Sequence, residues 1–99
     1  MVLKNIPTVD IGTGLTLVYS ITPGRTAIIK QLTFTNTSAS PLTVSVYDGS
    51  GITSILKVTI PATSTLVPAE VINRRCTKDM ITAVADGVGA SVDGYLEEE

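Results

Sequence analysis

The side chains that most often perform catalysis at neutral pH are scarce in this chain. It has no histidine, which is the commonest general base near pH 7 and a common zinc ligand. A glycosidase would need two carboxyl groups that face each other across a cleft. Outside the turns and the C-terminus only Asp10, Glu70 and Asp79 remain, and nothing in the sequence pairs them. We therefore expect no catalytic residues, no enzymatic activity and no cofactor.

Three of the other carboxylates lie in glycine turns. Asp48, Asp86 and Asp93 each precede a glycine, and loops that hold several Asp residues can bind calcium through their oxygens. Asp-Gly is also a favoured hairpin dipeptide, because both residues tolerate the backbone angles of tight turns. The spacing does not match an EF-hand loop, so the sequence favours turns and predicts no metal site.

The single cysteine lies in a basic segment. Cations next to Cys76 could lower the pKa of its thiol, but a nucleophilic cysteine normally needs a histidine partner. We expect an unreactive, half-buried cysteine beside a solvated loop. The cations of this loop, Arg74, Arg75 and Lys78, could contact the acidic residues Glu97, Glu98 and Glu99 of a second copy. Alternatively, those glutamates form a solvated tail.

Composition excludes several partners and points to protein contacts. The 99 residues are 43% hydrophobic and only 16% charged, against about 25% charged in typical soluble domains. A net charge of −2, with no aromatic residues around the basic loop, argues against nucleic acid. No apolar stretch reaches the roughly 18 residues of a membrane span, and Met1 to Asp10 has no signal-peptide core, so the default compartment is the cytoplasm. The low charge suggests that part of the exterior contacts protein.

Apolar and hydroxylated side chains alternate along short runs that turn residues separate every eight to twelve positions or so, which is typical of a sandwich or barrel. We predict an all-β fold, a small antiparallel β-sandwich (jelly-roll or Ig-like) of about seven strands. It forms one domain over residues 1–99, with a short N-terminal arm (1–14) and an acidic C-terminal tail (97–99). The alternation predicts an inward face for residues that include Leu15, Leu17, Tyr19, Ile21, Ile28, Leu32, Phe34, Leu42, Val44, Val46, Leu56, Val58 and Ile60.

Turn residues predict how the strands connect. Residues 48–51 (DGSG) form a strong turn signal. The 86–89 turn (DGVG) would join Met80–Ala85 and Ala90–Leu96 into a closing hairpin, and Pro68 places the 65–72 segment at a sheet edge or a bulge. Residues 21–26 resemble residues 60–65, so we expect the same corner to pass the chain between sheets twice.

The most informative pattern is a surplus of large side chains opposite the inferred core. Five residues have this parity and are candidate contacts with a partner: Val18, Ile29, Tyr47, Ile55 and Tyr95. The alternatives are an incorrect parity for one or two strands, or a strand that is buried on both faces. Lys30 falls among inward positions, where it would guard an edge against strand addition or extend its amine to a subunit boundary.

Several segments resemble small phage virion proteins. The similarity begins with residues 19–36 (YSITPGRTAIIKQLTFTN), continues through the Thr37-Ser38 turn and the 42–46 strand (LTVSV), and includes the 61–66 corner (PATSTL) and the glycine-rich 87–96 segment. It covers about residues 15 to 97. The chain has Arg25 where lysine is common, and its 74–80 approach to the next strand (RRCTKDM) is longer than usual.

The resemblance implies a capsid decoration (cement) protein or a head–tail accessory protein. Such proteins are β-sandwiches that assemble as trimers or other rings on the virion. This chain would then assemble with itself, preferably as a homotrimer, and contact the major capsid protein or another virion protein. It would be assembled in the host cytoplasm and located in the virion. A neck or tail ring or fibre subunit is the alternative, and a carbohydrate-binding module is a third possibility that the lack of tryptophan disfavours.

Overall fold

The computed structural model describes residues 2–99, which form nine strands and one short 3₁₀ helix, Ala69–Val71. The strands, in chain order, are β1 (Val2–Ile11), β2 (Thr16–Ser20), β3 (Ala27–Asn36), β4 (Leu42–Asp48), β5 (Thr53–Ile60), β6 (Ser64–Leu66), β7 (Arg74–Cys76), β8 (Met80–Ala85) and β9 (Ala90–Glu98). The prediction of an antiparallel β-sandwich is confirmed.

Two sheets pack face to face. The first has the order β1-β9-β3-β6, with β7 also paired to β3, and the second has the order β2-β8-β4-β5. The first strand pairs with the last, the second with the next to last, β3 with β6 and β7, and β4 with β5. This is the pairing of one long hairpin rolled into two layers, which defines a jelly roll. The Ig-like alternative is therefore not the topology.

The alternation of apolar and polar residues creates the core between these sheets. In β4, Val44 and Val46 are fully buried, while Thr43 and Ser45, at the alternating positions, lie on the outer face. Phe34 and Leu32 of β3 are equally buried and meet the second sheet from the other side. Each such aliphatic or aromatic side chain contributes about 1.5–3 kcal/mol when removed from water.

A bulge in β3 changes the predicted parity. The ladder with β9 shifts between Ile29 and Gln31, so Lys30 is an extra residue with no cross-strand partner. Ile29 therefore faces the core with 0% exposure, although the alternation had placed it outside. Two residues on one strand oppose one on its partner at such a bulge, and side chains beyond it change face.

The parity predicted for the 15–21 run is wrong before Tyr19, whereas Tyr19 packs against the core and Ile21 is buried as expected. The ladder of β2 with β8 shifts between Leu17 and Tyr19, and Val18 is buried. Leu15 and Leu17, which were expected inside, are about half exposed. Val18 is therefore a core residue and Leu17 a surface residue.

Neither terminal segment is the arm or tail that was predicted. Residues 2–11 of the predicted arm form β1, which pairs along its length with β9; Met1 lies outside the described residues. Glu97 and Glu98 belong to β9, and Glu98 is only 1% exposed. Because both segments pair with neighbouring strands, they complete the first sheet.

The connections follow the predictions in part. The 21–26 and 61–63 corners each take the chain from the second sheet to the first, as expected. The 48–51 turn joins the paired strands β4 and β5. The predicted closing hairpin is wrong, because β8 belongs to the second sheet and β9 to the first.

Candidate interaction surfaces

The predicted outward residues do not form one surface. Val18 and Ile29 are buried, and Ile55 packs partly buried against the core. Tyr47 is partly buried on the second sheet, whereas Tyr95 is 39% exposed on the first.

An apolar patch does lie on the second sheet, and it consists of Leu15, Leu17, Tyr47 and Ile52. Leu17 is opposite Thr82, which is itself opposite Tyr47, so these three side chains share the outer face. The methyl groups of Leu15 lie against Gly51 in the β4–β5 turn, and Ile52 follows that glycine with 89% exposure. The patch thus combines the edge strand β2 with the turn at one end of the sandwich.

Only Tyr47 of this patch was identified from the sequence. Leu17 was missed because the β2 bulge cannot be read from alternation.

Tyr95 belongs to a different, more polar face. It lies opposite Asn5 of β1 and Gln31 of β3, and the next outward residue of β9, Glu97, lies opposite Leu3. Leu3 is 62% exposed. This outer face of the first sheet has carboxylates beside its apolar side chains, unlike the patch on the second sheet.

The basic and acidic residues meet within one chain. Arg75 of β7 forms an ion pair with Glu99, and the Glu99 backbone N–H donates to the Thr26 carbonyl. Arg74 is exposed at the edge formed by β7. The aliphatic part of Lys78 packs over Gly49, where an added Cβ atom would lie 3.1–3.9 Å from it. Arg75 and Glu99 therefore pair with each other within the chain, and this ion pair competes with the predicted contacts between two copies.

Glu98 accepts several hydrogen bonds inside the fold. One carboxylate oxygen accepts the Thr22 backbone N–H at 2.8 Å, and the other accepts the Thr22 hydroxyl at 2.9 Å. These bonds, first the one from the backbone, keep the pKa of Glu98 below its ordinary value despite burial, with help from the Tyr19 hydroxyl and the charge of Lys4. Glu98 is thus an internal ligand of the β2–β3 corner and is not part of a solvated tail.

Two of the three Asp-Gly carboxylates, those of Asp48 and Asp86, also serve the fold. Asp48 accepts the backbone N–H groups of Thr77 and Lys78 at 3.2 and 3.1 Å. Asp86 accepts the Thr43 N–H at 2.9 Å. Their oxygens therefore anchor loops, and residues 2–99 contain no group of three possible metal-ligating side chains.

Cys76 is fully buried, not half-buried as expected. It lies on β7 opposite Ala27 with no exposed surface. Burial, assisted by the charge of Asp48, raises the pKa of its thiol to about 12, and Arg74 opposes this only in part. The thiol is therefore protonated and inaccessible at neutral pH.

One depression of about 360 Å³ lies on the outer face of the second sheet, where its ionisable residues are Lys57 and Asp86. Along residues 2–99 there is also no helix with the length and apolar character needed to cross a membrane. No protein-family model, curated protein or solved structure matches the chain.

Proposed function

We propose that this protein is a non-enzymatic structural subunit of a phage virion, namely a capsid decoration protein that assembles as a homo-oligomer and bridges neighbouring shell subunits. The apolar patch is the observation that carries the proposal. Leu15, Leu17 and Ile52 together expose half or more of their surfaces at one end of one sheet. Clustered apolar surface of this kind is typical of a protein contact.

The energetics of decoration suit a patch of this size. Removing one leucine or isoleucine side chain from water stabilises a contact by about 1.5–3 kcal/mol. A few such side chains give a weak single contact. Closed symmetry then repeats the contact in every subunit, and bridging of two shell subunits makes the second contact intramolecular.

The fold is compatible with this role without deciding it. Jelly rolls are common in viral capsid domains and also in lectins and cupins, and a fold by itself does not determine function. The sequence resemblance to small phage virion proteins selects the first of these uses. The scarcity of charge in the chain favours the same role, since a protein with 16% charged residues has fewer solvated positions than most.

The proposal is tested by adding purified protein to capsid shells that lack it. We expect the protein to cosediment with the shells in a saturable manner and to raise their temperature of disruption. Leu17→Asp should abolish both effects, because it places a charge in the apolar patch through which the copies assemble, and separate copies lose the multivalent attachment to the shell.

Leu3→Asp is the matched control, because Leu3 is an exposed leucine on the other sheet, with 62% exposure against 52% for Leu17. This variant should bind the shells and raise their temperature of disruption as the wild type does. If the wild-type protein does not bind the shells, or if both substitutions reduce shell binding equally, the patch is not the contact surface.

A neck or tail subunit would use the same patch in a larger ring. The mass of the assembled protein separates the two roles, because a trimer fits decoration and a larger closed ring fits the neck.

A further inference from the structure

We propose that Glu98 is the latch of an acid-sensitive clasp, which holds the two sheets together at the end of the sandwich where β2 turns into β3 and releases that corner when the carboxylate is protonated. This inference is independent of the proposed virion role. It depends on the bonding of one buried carboxylate.

The clasp joins elements from both layers. Glu98 lies at the end of β9 in the first sheet, opposite Ala27 of β3. The hydroxyl and N–H that it accepts belong to Thr22, which directly follows the buried Ile21 after β2 of the second sheet. Tyr19, also from β2, acts on the same carboxylate and helps to lower its pKa.

Protonation removes the reason for this arrangement. An ionised carboxylate accepts hydrogen bonds at both oxygens, whereas a carboxylic acid must itself donate one. Both groups of Thr22 donate to Glu98, one to each oxygen. A protonated Glu98 can still accept the Thr22 N–H at one oxygen and donate to the Thr22 hydroxyl oxygen, but both bonds are then neutral and lose the charge assistance that strengthens them.

The surroundings contain little that could replace the lost charge. Lys4 of β1 and Tyr19 of β2 are the titratable groups that act on Glu98. The charges that follow it along the chain are already engaged, since Glu99 pairs with Arg75.

The direction of the pH dependence follows from the hydrogen bonds. Because they lower the pKa of Glu98 in the folded protein, the stabilisation is fully present above the ordinary glutamate pKa and is lost as the pH falls through the lowered value. The corner therefore stays closed at neutral pH and opens only in acid, while the strands of the core remain paired.

Amide hydrogen exchange in solution tests the clasp directly. We expect the protection factor of the Thr22 amide to fall by about tenfold or more between pH 6 and about pH 3, as expected for loss of a charge-assisted bond. The amide of Val46, in the centre of the second sheet, should keep its protection. In Glu98→Gln the Thr22 protection should be low already at pH 6 and should no longer depend on pH.

Glu97→Gln is the control, because Glu97 precedes the latch and faces outward beside Leu3. It should retain the wild-type pH profile. If Glu98→Gln does not fold, Thr22→Val removes only the hydroxyl and should lower Thr22 protection at pH 6 by a smaller factor. A Thr22 amide that is equally protected at pH 6 and pH 3 in the wild type, or an identical response of Glu97→Gln and Glu98→Gln, would overturn the proposal.

Discussion

The bulge at Lys30 in β3 depends on a single glycine in the neighbouring strand. A Cβ atom at Gly94 would lie 2.0 Å from the Gln31 carbonyl oxygen and 2.9 Å from its carbon. These are backbone atoms of the bulge, which cannot rotate away. Gly94 thus permits the bulge, and the bulge in turn directs Ile29 into the core.

Gly94→Ala should therefore lower the free energy of unfolding by about 3 kcal/mol, as overpacking against a fixed backbone does. For a domain of this size the loss corresponds to about 12–20 °C in Tm. Thermal and urea unfolding measure it. Gly14→Ala is the control, because a Cβ there meets no atom within 4 Å, and a loss as large as that of Gly94→Ala would show that the close contact is not the cause.

Cys76 offers a second test at the residue scale. Since its thiol is buried and burial raises its pKa to about 12, a disulfide reagent at pH 8 should modify the folded protein far more slowly than the protein in denaturant. Rapid labelling of the native state would contradict the buried position. The sequence identified the lack of a histidine partner but could not show the extent of burial.

At the scale of elements, Asn36 connects two corners. Its amide nitrogen donates to the carbonyls of Ser40, Ile60 and Pro61 at 2.9–3.3 Å, and its side-chain oxygen accepts the Ser38 N–H. The residue is buried at the end of β3. One side chain therefore holds the β3–β4 turn against the end of β5.

Asn36→Ala should lower the free energy of unfolding by about 2–3 kcal/mol, because buried carbonyl groups lose their hydrogen-bond donor. Chemical unfolding measures the loss, and Asn5→Ala on the exposed part of β1 should change stability by less than about 0.5 kcal/mol. A near-neutral Asn36→Ala would show that water replaces the amide without loss.

The edge strand β1 shows what alternation misses. Most of its residues are exposed, because one side of the strand has no neighbour, so the apolar period is faint. Its ladder is interrupted between Ile6 and Val9, a stretch that contains Pro7. A proline and a bulge at an edge discourage the addition of further strands. For the same reason, the proposed assembly would use side-chain contacts rather than pairing at this edge.

At the scale of the molecule, local sequence patterns predicted strands and corners, but only the structure shows which strands pair with each other. The 86–89 turn has the residues of a hairpin, yet it crosses between sheets, because β8 finds β2 and β4 while β9 finds β1 and β3. Those partners are distant in sequence, and no local rule specifies them. The bulges in β2 and β3 had the same effect on the candidate site, since Val18 in one strand and Ile29 in the other lie on the face opposite to the predicted one.

The oligomeric mass in solution tests the central claim that this protein acts by assembling through its apolar patch. Light scattering on the purified wild type should give about three times the 10.3 kDa chain mass, and Leu17→Asp should give the mass of one chain while keeping its fold. A wild type that remains at 10.3 kDa at high concentration, with Leu17→Asp indistinguishable from it, would contradict the claim.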